Sequence, residues 1–280
     1  MAGIEPRLQT LRRALLAFRD TPGRSGRLVH LDADEVLVTG DMHGNLEHFR
    51  AVLGHADLAR HPRRHLVFQE LIHGPHRYPD GSDKSHQLVD VVCALEAQFP
   101  RQVHYLVGNH ELAQVTGREV MKHDNDLNAI FQAGPNVAYG GRGGEVYALY
   151  MQLFAAIPFA LRTSNRIFFS HSLPSAGMLP GFSLSALDAD TSLEADLAPG
   201  GSLYSLVWGR DVRPDTLAGF LEKVDADYLV SGHIPCEQGY DRPSERHLIL
   251  DTQGYPAAFA LLPANRPLEP DELTACVRLL

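Results

Sequence analysis

The sequence predicts an α/β fold built around parallel β-sheet. Short apolar runs alternate along the chain with longer segments whose apolar residues recur at helical spacing, and this alternation is typical of βαβ units. The strand runs contain few polar residues, as in strands that are buried on both faces. At 280 residues, of which 44% are hydrophobic, the chain is long enough to bury a sizeable core in one domain.

The first half of the chain shows the alternation most clearly. A Thr-Pro-Gly turn at 21–23 ends the first helix, and each later helix follows a compact apolar strand. The predicted elements are a helix at 6–19, strands at 28–31 and 36–39, a helix at about 46–58, a strand at 65–68, a helix at 85–99 and a strand at 103–107.

The second half is less regular. The glycine-rich stretch 134–144 is predicted to be turn-like, with a flexible loop at 140–144, and the segment 173–202 is predicted to be irregular. The other elements are a helix at 145–156, a hairpin of 159–162 with 166–170, a helix at 214–224 and strands at 228–231, 247–251 and 257–262. We expect a single domain over 1–280, with an N-terminal helical arm at 1–27 and a C-terminal tail at 264–280.

Charge and composition exclude several classes of function. A net charge of −9 and a pI near 5.9 argue against binding of nucleic acid or of an anionic membrane surface, because both require basic patches. The three cysteines have no CxxC spacing, so we expect no disulfide framework and a cytoplasmic location. No apolar run has the length of a signal peptide or membrane span. The fifteen histidines prompt a search for metal ligands.

Metal-binding residue types stand at the ends of the predicted strands. Loops at the carboxyl ends of neighbouring strands converge in α/β sheets, so these residues can share one site. Carboxylate, imidazole and amide ligands suit Mn²⁺, Fe²⁺ or Zn²⁺, and a bridging carboxylate holds two cations about 3.5–4 Å apart. The residues are Asp41, His43, Glu70, Asn109, His110, His171 and His233.

Each of these residues also has a structural interpretation. Asp41 could cap the helix that follows it, and Glu70 could be an ordinary solvated acid. His171 and His233 could be buried core histidines, and Arg210 could be a surface ion-pair partner.

Five sequence blocks contain most of these residues. They are Gly-Asp-Met-His-Gly-Asn at 40–45, Gly-Asn-His-Glu at 108–111, Phe-Ser-His-Ser at 169–172, Trp-Gly-Arg-Asp at 208–211 and Val-Ser-Gly-His-Ile-Pro at 230–235. These blocks resemble those of the calcineurin-like metallophosphatases, and they occur in family order. The block at 208–211 is similar to a Trp-x-Arg segment of the bacterial and phage serine/threonine phosphoprotein phosphatases.

The resemblance implies a sandwich of two mixed sheets flanked by helices, and it implies a role for each candidate residue. Asp41 and His43 would hold one divalent cation, and Asn109, His171 and His233 would hold the second, with Glu70 in the place of a bridging Asp. Mn²⁺ is expected, with Fe²⁺ or Zn²⁺ as alternatives. His110 would protonate the leaving oxygen, and Arg210 would bind phosphate oxygens.

The second family block departs from this pattern. Where the family has GDxVDRG, this chain has Gln-Glu-Leu-Ile-His-Gly-Pro at 69–75. His73 stands where an acid usually orients the catalytic histidine, and the phosphate-binding arginine of the block is missing. Arg77 could replace that arginine. The segment 71–84 is longer than the usual connection and could be a lid or a specificity element.

The sequence therefore predicts hydrolysis of phosphate monoesters with two divalent cations, most like a phosphoserine or phosphothreonine protein phosphatase. The expected substrate is a phosphorylated protein or a small phosphoester. A dinucleoside polyphosphate or another nucleotide is one alternative. A catalytically weak metal-binding scaffold, supported by the altered block at 69–75, is another.

Overall fold

The computed structural model describes residues 4–188, 194–269 and 271–280. Residues 1–3 of the predicted arm, 189–193 of the segment 173–202 and 270 of the predicted tail lie outside the described residues. The strands are β1 (Arg24–Ser25), β2 (Leu28–Leu31), β3 (Glu35–Asp41), β4 (Arg64–Gln69), β5 (Val103–Leu106), β6 (Met121–Lys122), β7 (Asn125–Asp126), β8 (Ala160–Thr163), β9 (Ile167–Ser170), β10 (Tyr228–Ser231), β11 (Tyr240–Ser244), β12 (His247–Leu250), β13 (Ala258–Pro263) and β14 (Val277–Leu279).

The helices lie mostly outside the sheets. Two short 3₁₀ turns, at Gly140–Arg142 and Leu179–Gly181, accompany them. The α-helices are α1 (Ile4–Arg19), α2 (Leu46–Ala56), α3 (His86–Gln98), α4 (Asn109–Thr116), α5 (Leu127–Tyr139), α6 (Gly143–Ala156), α7 (Ser185–Asp188), α8 (Glu194–Leu197), α9 (Ser202–Trp208), α10 (Pro214–Lys223) and α11 (Glu272–Ala275). None of the described helices combines the length and the apolar character that a membrane span requires.

Two mixed sheets form the body of the protein, as predicted. The larger sheet has the strand order β1-β2-β8-β9-β10-β12-β11, and the smaller one has the order β14-β13-β3-β4-β5. Strands β3, β4 and β5 are parallel neighbours, and so are β9, β10 and β12. Each sheet also contains antiparallel pairs, such as β13 with β3 and β8 with β9.

The two sheets pack face to face, and helices cover their outer faces. Val36 and Val38 of β3 belong to a buried cluster that also contains Phe169 of β9 and Leu250 of β12. Leu37, the residue between the two valines, belongs instead to a cluster shared with α1, α3 and α6. Successive strand residues point to opposite faces, so this alternation places β3 between the other sheet and the helices.

The glycine-rich stretch 134–144 is not a loop, so that prediction is wrong. It forms the end of α5, a 3₁₀ turn and the start of α6. A Cβ on Gly134 would lie 2.1 Å from the carbonyl oxygen of Asp83, and the glycine therefore lets α5 approach the segment 71–84 closely. The glycine at this position serves close packing and not chain flexibility.

The C-terminal segment is also more ordered than a tail. Residues 264–280 contain α11 and β14, and β14 pairs antiparallel with β13 at the edge of the smaller sheet. The N-terminal helix α1 buries Leu8, Leu11 and Phe18 in the core. The sequence analysis also missed the hairpin of β6 and β7, the strand β11 and the helices α4, α5 and α9.

The segment 71–84 folds back on itself and is hydrogen-bonded to α5. Within it, the Tyr78 N–H donates to the Ser82 carbonyl at 2.8 Å, and the Lys84 N–H donates to the His76 carbonyl at 3.1 Å. The Asp83 N–H donates to the Ile130 carbonyl of α5 at 3.1 Å. The segment therefore forms an ordered wall that is fixed to α5.

Glu96 on α3 supplies a test of the core. Its side chain is fully buried, neither carboxylate oxygen has a hydrogen-bond partner among the described residues, and burial raises its pKa from 4.5 to about 9. Between these two values the folded protein keeps a proton that the unfolded chain releases, so the free energy of unfolding falls as the pH rises. We expect Glu96→Gln to raise the Tm at about pH 8 and to flatten its pH dependence, measured by thermal melts.

The exposed Glu119→Gln variant is the matched control and should leave the pH profile unchanged. A lower Tm for Glu96→Gln at about pH 8 would contradict the interpretation of Glu96 as a buried, neutral acid.

Candidate metal centre

The strand ends that were predicted to carry ligands converge at one edge of the sandwich. Asp41 is the last residue of β3, Glu70 follows β4, and Asn109 opens α4 after β5; these three strands are parallel neighbours. His171 and His233 follow β9 and β10, which are parallel neighbours in the other sheet. Because the carboxyl ends of parallel strands share one edge, packing of the two sheets brings the five residues together.

Glu70 is common to two groups of ligand atoms. Its Oε1 lies 3.9 Å from Nε2 of His43 and 3.2 Å from Nε2 of His110, and its Oε2 lies 2.9 Å from Nε2 of His171. One group is His43, Glu70 and His110, and the other is Asp41, Glu70 and His171, with the atoms of each within 4.8 Å of one another. Asp41 Oδ2 and His43 Nε2, which are predicted to share a cation, lie 4.0 Å apart.

Asn109 and His233 lie beside the second group. Asn109 Oδ1 is 2.9 Å from His171 Nε2, and the rings of His233 and His171 are 4.9 Å apart between centroids. The backbone N–H of His233 donates to Asp41 Oδ1 at 2.9 Å. His233 Nε2 is buried and has no hydrogen-bond partner among the described residues, so it is free to bind a cation.

The backbone of three ligand residues is strained. His43, Glu70 and His233 have φ angles of 40°, 46° and 68°, in the left-handed region that side chains rarely adopt. The N–H groups of Met42 and His43 both donate to the Glu70 carbonyl, at 3.0 and 2.9 Å, and so hold the first two ligand loops together. Each such residue costs about 1–3 kcal/mol, and their clustering is typical of functional sites.

The two carboxylates are unfavourable neighbours in the free protein. Burial raises the pKa of Asp41 to about 7; the charge of Glu70 adds to the shift, whereas that of His171 opposes it. Burial, with repulsion from Glu111, raises the pKa of Glu70 well above its usual range. A cation between the two carboxylates would favour their ionised forms and offset the cost of burying them.

The histidines are held neutral, which is the form that binds metal ions. Burial lowers the pKa of His43 to about 4 and also lowers the pKa of His171. The Nδ1 of His43 is 2.7 Å from the Ile72 carbonyl, and the Nδ1 of His171 is 2.8 Å from Gln69 Oε1. An oxygen accepts a proton from Nδ1 in each pair, so the Nε2 lone pair of each ring faces the site. Carboxylate, imidazole and amide donors in this arrangement fit two divalent cations.

His73 takes the place of the missing acid beside His110. Its Nε2 lies 3.3 Å from Gln114 Oε1, while the amide nitrogen of Gln114 donates to the carbonyl of Asn128. The proton of His73 is therefore on Nε2, and its Nδ1 accepts a hydrogen bond of 2.5 Å from Nδ1 of His110. Burial lowers the pKa of His73 to about 3, so a neutral imidazole orients His110 where a carboxylate was expected.

Arg210 is an exposed cation close to the metal centre in sequence order and in charge effect. Its guanidinium forms no ion pair or side-chain hydrogen bond with the residues that the structure describes. Burial is the main cause that lowers the pKa of His171 and His233, and the charge of Arg210 lowers both further. Arg210 is therefore within electrostatic reach of the metal centre and is available to an anion.

Arg77 is less available. Its guanidinium lies 3.0 Å from the carboxylate of Asp83, which is buried, so the arginine is committed to an ion pair within the segment 71–84. Its charge adds to the effect of burial in lowering the pKa of His73. The structure thus places Arg77 near His73 but engaged with Asp83.

The sequence analysis missed two residues that position the ligands. Gln69 accepts from His171 and donates from Nε2 to the Thr39 carbonyl at 2.8 Å, so it fixes the orientation of that imidazole. Glu111 is fully buried and accepts from the backbone N–H groups of Leu71 and Gly108, at 2.9 and 3.0 Å. Both residues lie in the quoted blocks, but their partners are distant in sequence.

Gly108 gives a test of the packing around Glu70. A Cβ at this position would lie 2.0 Å from Glu70 Oε2 and 2.7 Å from Glu111 Oε2. We expect Gly108→Ala to displace the Glu70 carboxylate and to weaken Mn²⁺ binding about 10- to 100-fold, measured by isothermal titration calorimetry.

Gly54→Ala is the matched control, because a Cβ on Gly54 meets nothing within 4 Å. This variant should stabilise α2 by about 0.5–1 kcal/mol and leave Mn²⁺ binding unchanged. Equal Mn²⁺ affinities in Gly108→Ala and the wild type would contradict the role given to Glu70.

The family of the chain follows from its sequence and agrees with this geometry. The profile of the calcineurin-like phosphoesterases matches residues 35–237. The chain therefore belongs to the calcineurin-like phosphoesterases, a family of hydrolases.

One curated relative is a probable protein phosphatase by name. The chain is 25% identical to a probable serine/threonine-protein phosphatase of Encephalitozoon cuniculi, over 76% of this chain and 45% of that protein. It thus spans less than half the length of this curated relative.

Two solved structures share the fold. A serine/threonine phosphatase from Saccharomyces cerevisiae, described as similar to human phosphatase PP5, has a TM-score of 0.69 and 16% identity, covering 99% of this chain and 88% of its own. A cold-active protein-tyrosine phosphatase from a Shewanella species has a TM-score of 0.61 and 17% identity, covering 87% and 79%. At these identities the likeness establishes the two-sheet fold alone.

Proposed function

We propose that this chain hydrolyses phosphate monoesters with two divalent cations and acts on phosphoserine or phosphothreonine in proteins. The observation that carries the proposal is the position of Glu70, which belongs to both groups of ligand atoms. A single carboxylate shared in this way is how one residue bridges two cations. Mn²⁺ is the cation we expect, because the donors mix carboxylate and imidazole.

Different side chains would have different roles in hydrolysis. Asp41, His43, Glu70, Asn109, His171 and His233 would hold the cations, which when bound would polarise the phosphoryl oxygens and lower the pKa of water. Arg210 would bind the remaining phosphate oxygens through its planar fork of donors.

Doubly protonated His110 would give its Nε2 proton to the leaving oxygen and keep its Nδ1 proton, which the neutral His73 accepts in a hydrogen bond. His73 acts through His110, so its role is positioning.

The scaffold alternative is weakened by Arg210. A pure binding scaffold has no need of an exposed guanidinium beside the metal centre that makes no ion pair with described residues. The replacement of the expected acid by His73 is the observation that favours the scaffold, because a neutral imidazole stabilises protonated His110 less than a carboxylate would.

The substrate is tested by release of phosphate. Wild-type protein with added Mn²⁺ would be given a phosphoserine peptide, a phosphothreonine peptide and diadenosine tetraphosphate. The proposal expects the highest kcat/KM for a phosphopeptide. Preference for the nucleotide would move the assignment to a nucleotide phosphohydrolase, and metal binding without any turnover would support the scaffold. The cytoplasmic location remains a prediction.

A further inference from the structure

The segment that follows α4 carries two exposed cations, and the first of them lies next to the metal centre. Gly117 ends α4, and Arg118 and Lys122 follow, with Lys122 on β6. Neither side chain forms an ion pair with any residue in the described part of the chain, although the net charge of the whole chain is −9. Unpaired cations on an acidic protein suggest a site for an anion.

Arg118 is fixed in place by aromatic rings next to a predicted metal ligand. Its guanidinium lies over the ring of Trp208 at 5.1 Å and over that of Tyr204 at 5.4 Å, measured to the centroids. Trp208 in turn contacts His233, with 6.4 Å between ring centroids. A guanidinium stacked in this way keeps its N–H donors free at the ring edge.

Lys122 lies on β6, four residues after Arg118, and its side chain is exposed. Between the two cations Met121 is 53% exposed, an apolar side chain on the same hairpin. The segment 118–122 thus offers a cation at each end and an apolar contact between them.

We propose that Arg118 and Lys122 select phosphopeptides that carry acidic residues within a few positions of the phosphorylated residue. This inference rests on the proposed phosphatase function and names its substrate class.

The distance along α4 from Asn109 to Arg118 favours a peptide as the ligand. Arg118 follows an eight-residue helix that begins at Asn109, and such a helix advances about 12 Å. An extended peptide advances about 3.3 Å per residue, so an acidic residue two to four positions from the phosphorylated residue spans this distance.

A nucleotide is disfavoured by the aromatic rings. Arg118 lies over the rings of Trp208 and Tyr204, and a base stacked on the same ring faces would have to displace it. The exposed Met121 would contact an apolar side chain of a peptide.

The test compares two phosphoserine peptides. One carries Glu at two to four positions on either side of the phosphoserine, and the other carries Gln at the same positions. For the wild type with Mn²⁺ we expect kcat/KM to be about 5- to 10-fold higher for the Glu peptide, as two exposed ion pairs allow. In the double variant R118Q/K122Q this ratio should fall to about 1. Arg60→Gln, at a site whose side chain is 84% exposed, should keep the ratio of the wild type.

Three results would overturn the inference while leaving phosphoesterase activity in place. They are a ratio near 1 in the wild type, a ratio that survives in the double variant, and a higher kcat/KM for diadenosine tetraphosphate than for the Glu peptide. Turnover of p-nitrophenyl phosphate without turnover of either peptide would overturn it as well. Absence of turnover with every phosphoester would instead reject the proposed function, and the inference with it.

Discussion

Glu70→Gln is expected to abolish metal-dependent turnover, with a fall in kcat/KM of about 10³-fold or more. The substitution keeps the size of the side chain but removes the charge that both ligand groups share. Mn²⁺ affinity should fall with it, measured by calorimetry on the same protein. Hydrolysis of p-nitrophenyl phosphate in excess Mn²⁺ gives the kinetic readout.

The same variant should be at least as stable as the wild type when metal is absent. Burial and the repulsion of Glu111 raise the pKa of Glu70, so a neutral amide removes an unfavourable buried charge. Loss of turnover without loss of stability separates a metal-binding role from a structural one. Glu119→Gln removes the charge of an exposed side chain; it is the control and should retain activity. Full activity in Glu70→Gln would show that this residue does not hold the cations.

Arg210→Ala is expected to lower kcat/KM about 100-fold while leaving Mn²⁺ affinity intact. The guanidinium would contact the phosphate and not the cations. The variant should therefore lose catalysis but keep its affinity for metal. Because Arg210 is exposed and makes no ion pair with described residues, the free energy of unfolding should change by less than about 0.5 kcal/mol.

Two companion variants sharpen the test of Arg210. Arg210→Lys should restore only part of the activity, because an ammonium cannot make the paired hydrogen bonds of a guanidinium. Arg60→Ala removes an exposed arginine elsewhere and should leave kcat/KM unchanged. Wild-type kinetics in Arg210→Ala would place the phosphate contacts on another residue.

The part of the fold that could be predicted is the part governed by local patterns. The strands β3, β4 and β5 are apolar runs that end at Asp41, Gln69 and Leu106, so both the sheet and the ligand edge could be located from the sequence. The second sheet and the full set of metal ligands were predicted from the resemblance of the five blocks to the family. All six predicted ligands lie together in the structure.

What could not be predicted depends on contacts between residues distant in sequence. Gly134 suggested a turn, but its role is set by the approach of Asp83 from another segment. His73 was recognised as a departure from the family pattern, whereas its neutral state depends on its burial and on Gln114. The commitment of Arg77 to Asp83 likewise depends on how the segment 71–84 folds back on itself.

The most direct test of the account is hydrolysis of p-nitrophenyl phosphate by metal-stripped protein before and after addition of Mn²⁺, with Asn109→Ala alongside. Asn109 Oδ1 lies 2.9 Å from His171 Nε2 within the ligand set, so its removal should weaken one cation site. The account predicts no activity without metal, activity restored by Mn²⁺, and little or none in the variant. Equal turnover in the stripped protein and the Mn²⁺-loaded protein would contradict it.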